Sequence, residues 1–156
     1  MKKVKVEKTK PIKLAYIEHV GEYSKVPYGD YVPRLFQWAK ENKVRPGFKN
    51  INVFHDNPEE VDPSKCRTWI GIPIKGETKG DNEVKIEDLP AMDVAVVKFK
   101  GPSRELKNTY EMIGKWMDEN GYEWAGPSLE VYSKKPKEIN GEIILFSTIQ
   151  VPIRKK

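Results

Sequence analysis

The chain has 156 residues, a length that buries enough surface to fold as one ordinary domain without disulfides or metals. Hydrophobic residues make up 38% and charged residues 33%, and the net charge of +5 comes from lysines spread along the chain with small clusters only at its ends (Lys2, Lys3, Lys5 and Arg154, Lys155, Lys156), which reads as solvated surface and not as a phosphate footprint. The single cysteine, Cys66, excludes an internal disulfide, no apolar run approaches the roughly 18 residues that span a bilayer, and no apolar segment follows the basic start, so neither a membrane span nor a signal peptide is expected and the cytoplasm is the simplest compartment.

In chain order, Val4–Glu7 reads as a short edge strand and Ile12–His19 as a longer one. Gly21 turns the chain towards a helix whose apolar stripe is Val32, Leu35, Phe36 and Ala39. Pro33 is tolerable in a first turn only, so this helix is predicted to begin near Tyr31. Strands are predicted over Asn50–Phe54 and Arg67–Ile74, with the turn-rich Asp56-Asn57-Pro58 between them. Lys75–Asn82 is a polar, glycine-containing linker. Val84–Glu87 is then a second edge strand and Met92–Phe99 a longer one. After Gly101 and Pro102, Ser103 is a plausible N-cap for a helix with Leu106, Tyr110, Ile113 and Met117 on one face, ended by Asn120-Gly121. Ser128–Tyr132 and Glu142–Val151 complete the set of strands, with a turn at Lys135-Pro136.

The order is β-α-β-β twice, and the residues repeat as well as the elements. Val4-Lys5-Val6-Glu7 recurs as Val84-Lys85-Ile86-Glu87, and Leu14-Ala15 and Gly21 as Val94-Ala95 and Gly101, all at a spacing of 80. Trp38-Ala39-Lys40-Glu41-Asn42 recurs as Trp116-Met117-Asp118-Glu119-Asn120 at 78, Val53 to Pro58 as Val131 to Pro136 at 78, and Ile72-Pro73-Ile74 as Val151-Pro152-Ile153 at 79. The chain is therefore read as one domain over residues 1–156 made of internal repeats 1–75 and 83–156. The expected fold is α+β, with tandem duplicated βαββ units, an antiparallel or mixed sheet, helices on one side and pseudo-twofold symmetry. A groove at the pseudo-axis is the natural ligand site.

In Ser128-Leu129-Glu130-Val131-Tyr132 the alternation places Leu129 and Val131 on one face and Glu130 and Tyr132 on the other. If the apolar pair packs under the helix, Glu130 and Tyr132 look away from it. Their equivalents in the first repeat are Asn52 and Phe54, so both copies present an aromatic residue and only one an acid. Two placements of Glu130 are open, a solvated sheet surface or an aromatic-walled hollow. In the hollow a flat cationic ligand would compensate the carboxylate, and a raised pKa would suit it to acid–base work. Trp38 and Trp116, repeat-equivalent and off the main stripe of each helix, are further candidate ligand contacts. Tyr16, Trp69, Tyr110 and Phe146 are weaker ones, for which core packing is an equal reading. With only His19 and His55 and no paired cysteines, no metal site and no cofactor is expected, and no glycine-rich phosphate loop is present.

The chain resembles the GyrI-like family, the effector-binding domain of AraC- and MerR-type transcription activators. The resemblance is carried by Ile17-Glu18-His19-Val20-Gly21-Glu22-Tyr23 and Phe99-Lys100-Gly101-Pro102, by Asp56-Asn57-Pro58 leading to Cys66-Arg67 and the strand from Trp69 to Ile74, and by Leu129-Glu130-Val131-Tyr132 followed by Pro136 and Ile149-Gln150-Val151-Pro152-Ile153. It implies a concave antiparallel sheet with two main helices flanking a central groove, and an acid at the Glu130 position that contacts bound ligand, often lipophilic and cationic, among aromatic rings. The family includes multidrug-sensing regulator domains, a gyrase-inhibiting protein and hydrolases of cyclopropane-bearing compounds that use a glutamate with neighbouring aromatic residues. The expected function is a small-molecule-binding protein, a sensor or a sequestering resistance factor. The alternatives are a hydrolase of strained electrophiles using Glu130 and Tyr132, and a modulator of DNA gyrase. No DNA-binding motif accompanies the domain, so direct nucleic-acid binding is not expected. A protein partner (DNA gyrase or a regulator) and a monomer or homodimer remain open.

Overall fold

The chain folds into β1 (Lys5–Lys8), β2 (Ile12–Val20), α1 (Tyr28–Glu41), β3 (Arg45–Pro46), β4 (Asn50–Phe54), β5 (Arg67–Lys75) and β6 (Lys85–Leu89), followed by β7 (Asp93–Pro102), α2 (Leu106–Asn120), β8 (Tyr122–Trp124), β9 (Ser128–Tyr132), β10 (Lys137–Ile139) and β11 (Glu142–Lys155). The computed structural model describes residues 3–156, and Met1 and Lys2, part of the basic N-terminal cluster, lie outside the described residues. Every strand pair within the two compact units is antiparallel. One unit is Lys10–Ala91; the other combines the segment up to Thr9 with Met92–Lys156.

In the first of these the strand order is β4-β5-β2-β6, with β3 also on β5. Register pairs Ala15 with Ile72 and Ile17 with Ile70. These four pack with Leu35, Trp38 and Ala39 of α1 in one apolar cluster. In the second unit the order is β1-β7-β11-β9, with β8 and β10 also on β11. Ala95, Val97, Ile149, Val151 and Ile153 there meet Ile113 and Met117 of α2. Each of the larger aliphatic side chains among them, fully buried, contributes about 1.5–3 kcal/mol of hydrophobic stabilisation. That term holds each helix on its sheet.

Helix α1 begins at Tyr28 and not near Tyr31, so Pro33 lies inside it. The missing proline N–H deprives only the carbonyl of Gly29, which lies in the first turn of the helix. Ser103 does not cap α2; it starts a one-turn 3₁₀ segment, Ser103–Glu105, that runs into the helix. The far end follows the sequence reading: Gly121 takes φ 76° and its N–H bonds the Met117 carbonyl.

The edge strands depart most from expectation. Each was predicted to complete its own repeat; instead β1 pairs with β7 of the second repeat and β6 with β2 of the first. The links decide this. Thr9, next to β1, bonds Met92, next to β7, through both its N–H and its hydroxyl. The nine residues 76–84 between β5 and β6 are long enough to carry β6 back beside β2. They are fixed by the Asp81 carboxylate, which accepts from the N–H groups of Glu83 and Val84.

Candidate functional site

The register of β9 on β11 fixes where Glu130 points. Glu130 lies opposite Ile149, and Ile149 is fully buried under α2. Directly opposed residues share a face, so Glu130 and Tyr132 look towards α2 and Leu129 and Val131 away from it. The premise that the apolar pair packs under the helix therefore does not hold. Alternation along β9 gives two equivalent assignments, and only the partner strand chooses between them.

Glu130 is 4% exposed, which excludes the solvated-surface placement. The Tyr132 hydroxyl donates to its Oε1 at 2.5 Å and the Tyr110 hydroxyl, reaching down from α2, to its Oε2 at 2.7 Å. Tyr110 also lies 3.3 Å from the Ser128 hydroxyl. Across the strand pair, Ser147 opposes Tyr132, and its buried hydroxyl has no hydrogen-bond partner among the described residues. Among the described residues no lysine, arginine or histidine forms an ion pair with Glu130.

Burial pushes the Glu130 carboxyl above its ordinary range, and the two tyrosine donors, which favour the charged form, act against that shift. Tyr110 is itself pushed up, first by burial and then by the neighbouring Glu130 charge. The arrangement is a carboxylate held by hydroxyls in an aromatic setting. It can pair with a cation, or exchange a proton at a pH where exposed carboxylates cannot.

The other unit carries the uncharged version. Asn50, Asn52, Phe54 and Thr68 stand where Ser128, Glu130, Tyr132 and Ser147 stand in the second repeat. Asn52 is 1% exposed and accepts from Asn50, which also donates to the Gly71 carbonyl. Phe54 meets Tyr23 edge-on at 5.1 Å, and the buried Thr68 hydroxyl, like that of Ser147, has no hydrogen-bond partner among the described residues. The position equivalent to Tyr110 is taken by Val32, which packs on the core of its unit.

The remaining sequence candidates separate. Tyr16 and Trp69 stack at 4.0 Å on the face of their sheet turned away from α1, where Trp69 donates to Glu18 and touches His55. Burial, then the Arg67 charge, lowers the His55 pKa. Beside this cluster a groove of about 1010 Å³ runs between Tyr16, Glu18, Tyr31 and Arg34 and the 78–83 segment; Glu130 does not line it. Trp38 is 6% exposed and belongs to the apolar core, because α1 rotates it towards β5 and not off its stripe. Trp116 stacks on Tyr122 at the margin of the other core. Phe146 alternates with Leu145 and so lies on the face of its sheet opposite α2 and Glu130.

Ser128 and Ser147 were not singled out from the sequence. Ser128 shares the parity of Glu130 and was findable, whereas Ser147 needed the β9–β11 register. Cys66 is buried, with its thiol pKa raised chiefly by burial. Among the described residues no group of three or more His, Cys, Asp and Glu is placed to hold a metal, and no helix is long and apolar enough to cross a membrane.

Comparison with known proteins places these features in context. A family model, the GyrI-like small molecule binding domain, matches residues 2–154. Human testis-expressed protein 264 is 28% identical over 130 residues, covering 81% of this chain and 38% of that protein. The chain thus spans well under half the length of that relative. Among solved structures, the EcmrR C-terminal domain superposes with a TM-score of 0.81 at 20% identity, over 100% of this chain and 99% of that one. The protein SAV2435, determined with tetraphenylphosphonium bound, superposes with a TM-score of 0.58 at 11% identity, over 97% and 94%. Both likenesses are of fold.

Proposed function

We propose, for a chain that belongs to the GyrI-like small-molecule-binding family, that the ligand is a lipophilic, aromatic cation bound at Glu130, and that the protein acts as a sensor or sequestering factor for such compounds. One observation carries this reading. Glu130 is buried and bonded only to hydroxyls, with no cation paired to it among the described residues. A buried carboxylate in that state favours any ligand that brings a positive charge without a large hydration cost. Tyr110 and Tyr132 add ring faces for cation–π contact. The partnerless Ser147 hydroxyl offers a further polar contact. The shared fold of a protein whose structure has tetraphenylphosphonium bound supports the choice of ligand class.

A carbon-sheathed cation held about 6 Å from the carboxylate gains roughly 3 kcal/mol at an effective dielectric of about 20. That corresponds to about 100-fold in affinity. Calorimetric titration with tetraphenylphosphonium should therefore show a loss of that order in Glu130→Gln. The neutral triphenylphosphine oxide should bind both forms alike. Equal affinity of the two proteins for the cation, or no binding to the wild type, refutes the proposal.

A further inference from the structure

The face of the second unit's sheet turned away from α2 carries an arrangement of the opposite sign. Lys100 of β7 lies opposite Phe146 of β11, and Lys98 opposite Thr148, so both lysines share the face of Phe146. On the other flank of β11 the β10 hairpin closes through Asn140 and Gly141, both at positive φ. Such a turn matches the strand twist and fixes the register. That register sets Lys137 opposite Ile144, again on the Phe146 face. Between β9 and β10 the connecting segment supplies Lys134. The ammonium groups of Lys134, Lys100 and Lys137 stand 5.6, 5.7 and 5.9 Å from the centre of the one Phe146 ring.

Three ammoniums around a single ring are gathered against their own repulsion. An exposed cation–π contact returns only about 0.5–1 kcal/mol each. None of Lys98, Lys100, Lys134 and Lys137 takes part in an ion pair among the described residues. Glu142, near the tip of the same hairpin, is engaged by Arg104 at 2.6 Å. Among the described residues no carboxylate is therefore paired with the cluster. Each ammonium offers three donors of free orientation, suited to phosphate oxygens. The half-buried ring offers a surface on which a planar base can stack.

We infer that the Phe146 face is a second ligand site, for an anion bearing linked phosphate groups, distinct in charge and in sheet face from the cation site at Glu130. Lys100, Lys134 and Lys137 bind the phosphates, Lys98 extends the positive field along β7, and Phe146 spaces the ammoniums.

The test is calorimetric titration of the full chain with sodium tripolyphosphate and, separately, with ATP, at low and at physiological ionic strength. Lys100, Lys134 and Lys137 are replaced together by alanine. A control removes the same charge from the exposed Lys40, Lys49 and Lys107. The site is supported if tripolyphosphate binds the wild type and the control alike, binding weakens with salt, and the site variant loses at least about tenfold in affinity. ATP binding tighter than tripolyphosphate, with the gap closed in Phe146→Leu, identifies a nucleotide; equal affinities identify the phosphate chain alone. No binding at low salt, or equal weakening in the site and control variants, overturns the inference.

Discussion

Replacing Glu130 by glutamine removes a buried charge while leaving every neighbour a partner. The glutamine oxygen can accept from Tyr132. Its amide can donate to the Tyr110 oxygen, freeing that hydroxyl to donate to Ser128, already 3.3 Å away. Keeping one carboxylate out of water costs on the order of several kcal/mol. The two charge-assisted bonds return about 1.5–3 kcal/mol each, against about 1 kcal/mol for the neutral bonds that replace them. The difference leaves Glu130→Gln more stable than the wild type by about 2 kcal/mol, or a rise of roughly 4–8 °C in Tm for a chain of this size. The gain has a pH signature. Because the folded-state pKa of Glu130 is raised, the native protein holds the proton more tightly than the unfolded chain. Wild-type stability therefore falls as pH rises from the ordinary value of 4.5 through the raised one. Thermal melts of both proteins without ligand should nearly coincide below that window and separate above it, the variant melting higher. A wild type that is the more stable form at alkaline pH would show that the tyrosine bonds outweigh desolvation, and the reasoning would fail.

Affinity for tetraphenylphosphonium should drop on acidification through the raised pKa of Glu130, since only the carboxylate attracts the cation, whereas the weak binding of Glu130→Gln should be flat over that range. Tyr110→Phe removes the donor to Oε2 and leaves that oxygen buried, so it should lower stability by about 1–3 kcal/mol in urea unfolding and move the acid limb of cation binding to higher pH. Gly71→Ala would place a Cβ 2.7 Å from Cδ1 of the fully buried Leu14; equilibrium unfolding should show a loss of about 1–3 kcal/mol. Gly121→Ala, at φ 76° after α2, should cost about 1 kcal/mol by the same measurement.

The duplication was legible because repeats leave matched residues at matched spacing, and the order of the main strands and helices followed from turn residues and apolar periodicity, whereas the two- and three-residue strands β3, β8 and β10 are too short to carry a periodic signal. Glu130 and Tyr132 were legible as a pair because alternation binds their sides together. Which side they face was not, since parity along β9 is silent about the strand opposite, and Ile149 decides it. The same limit hid Ser147; Trp38 lies three residues after Leu35 and next to Ala39, so it shares their buried face, a width of stripe that the sequence reading drew too narrowly. The destination of β1 and β6 was beyond reach for a related reason. Their sequences specify an edge, and the length of the link, not the strand, selects whose edge it becomes.

That exchange of leading strands has a consequence for dissection. A polypeptide cut at Gly80 would keep β1 without β7, the strand it pairs with, and would leave one side of β2 bare. Unpaired backbone on both counts invites a second copy to lend the missing strand. An isolated half is thus better suited to life as a strand-trading pair than as a monomer, and fusing two such halves end to end would turn a contact between molecules into one within a single chain.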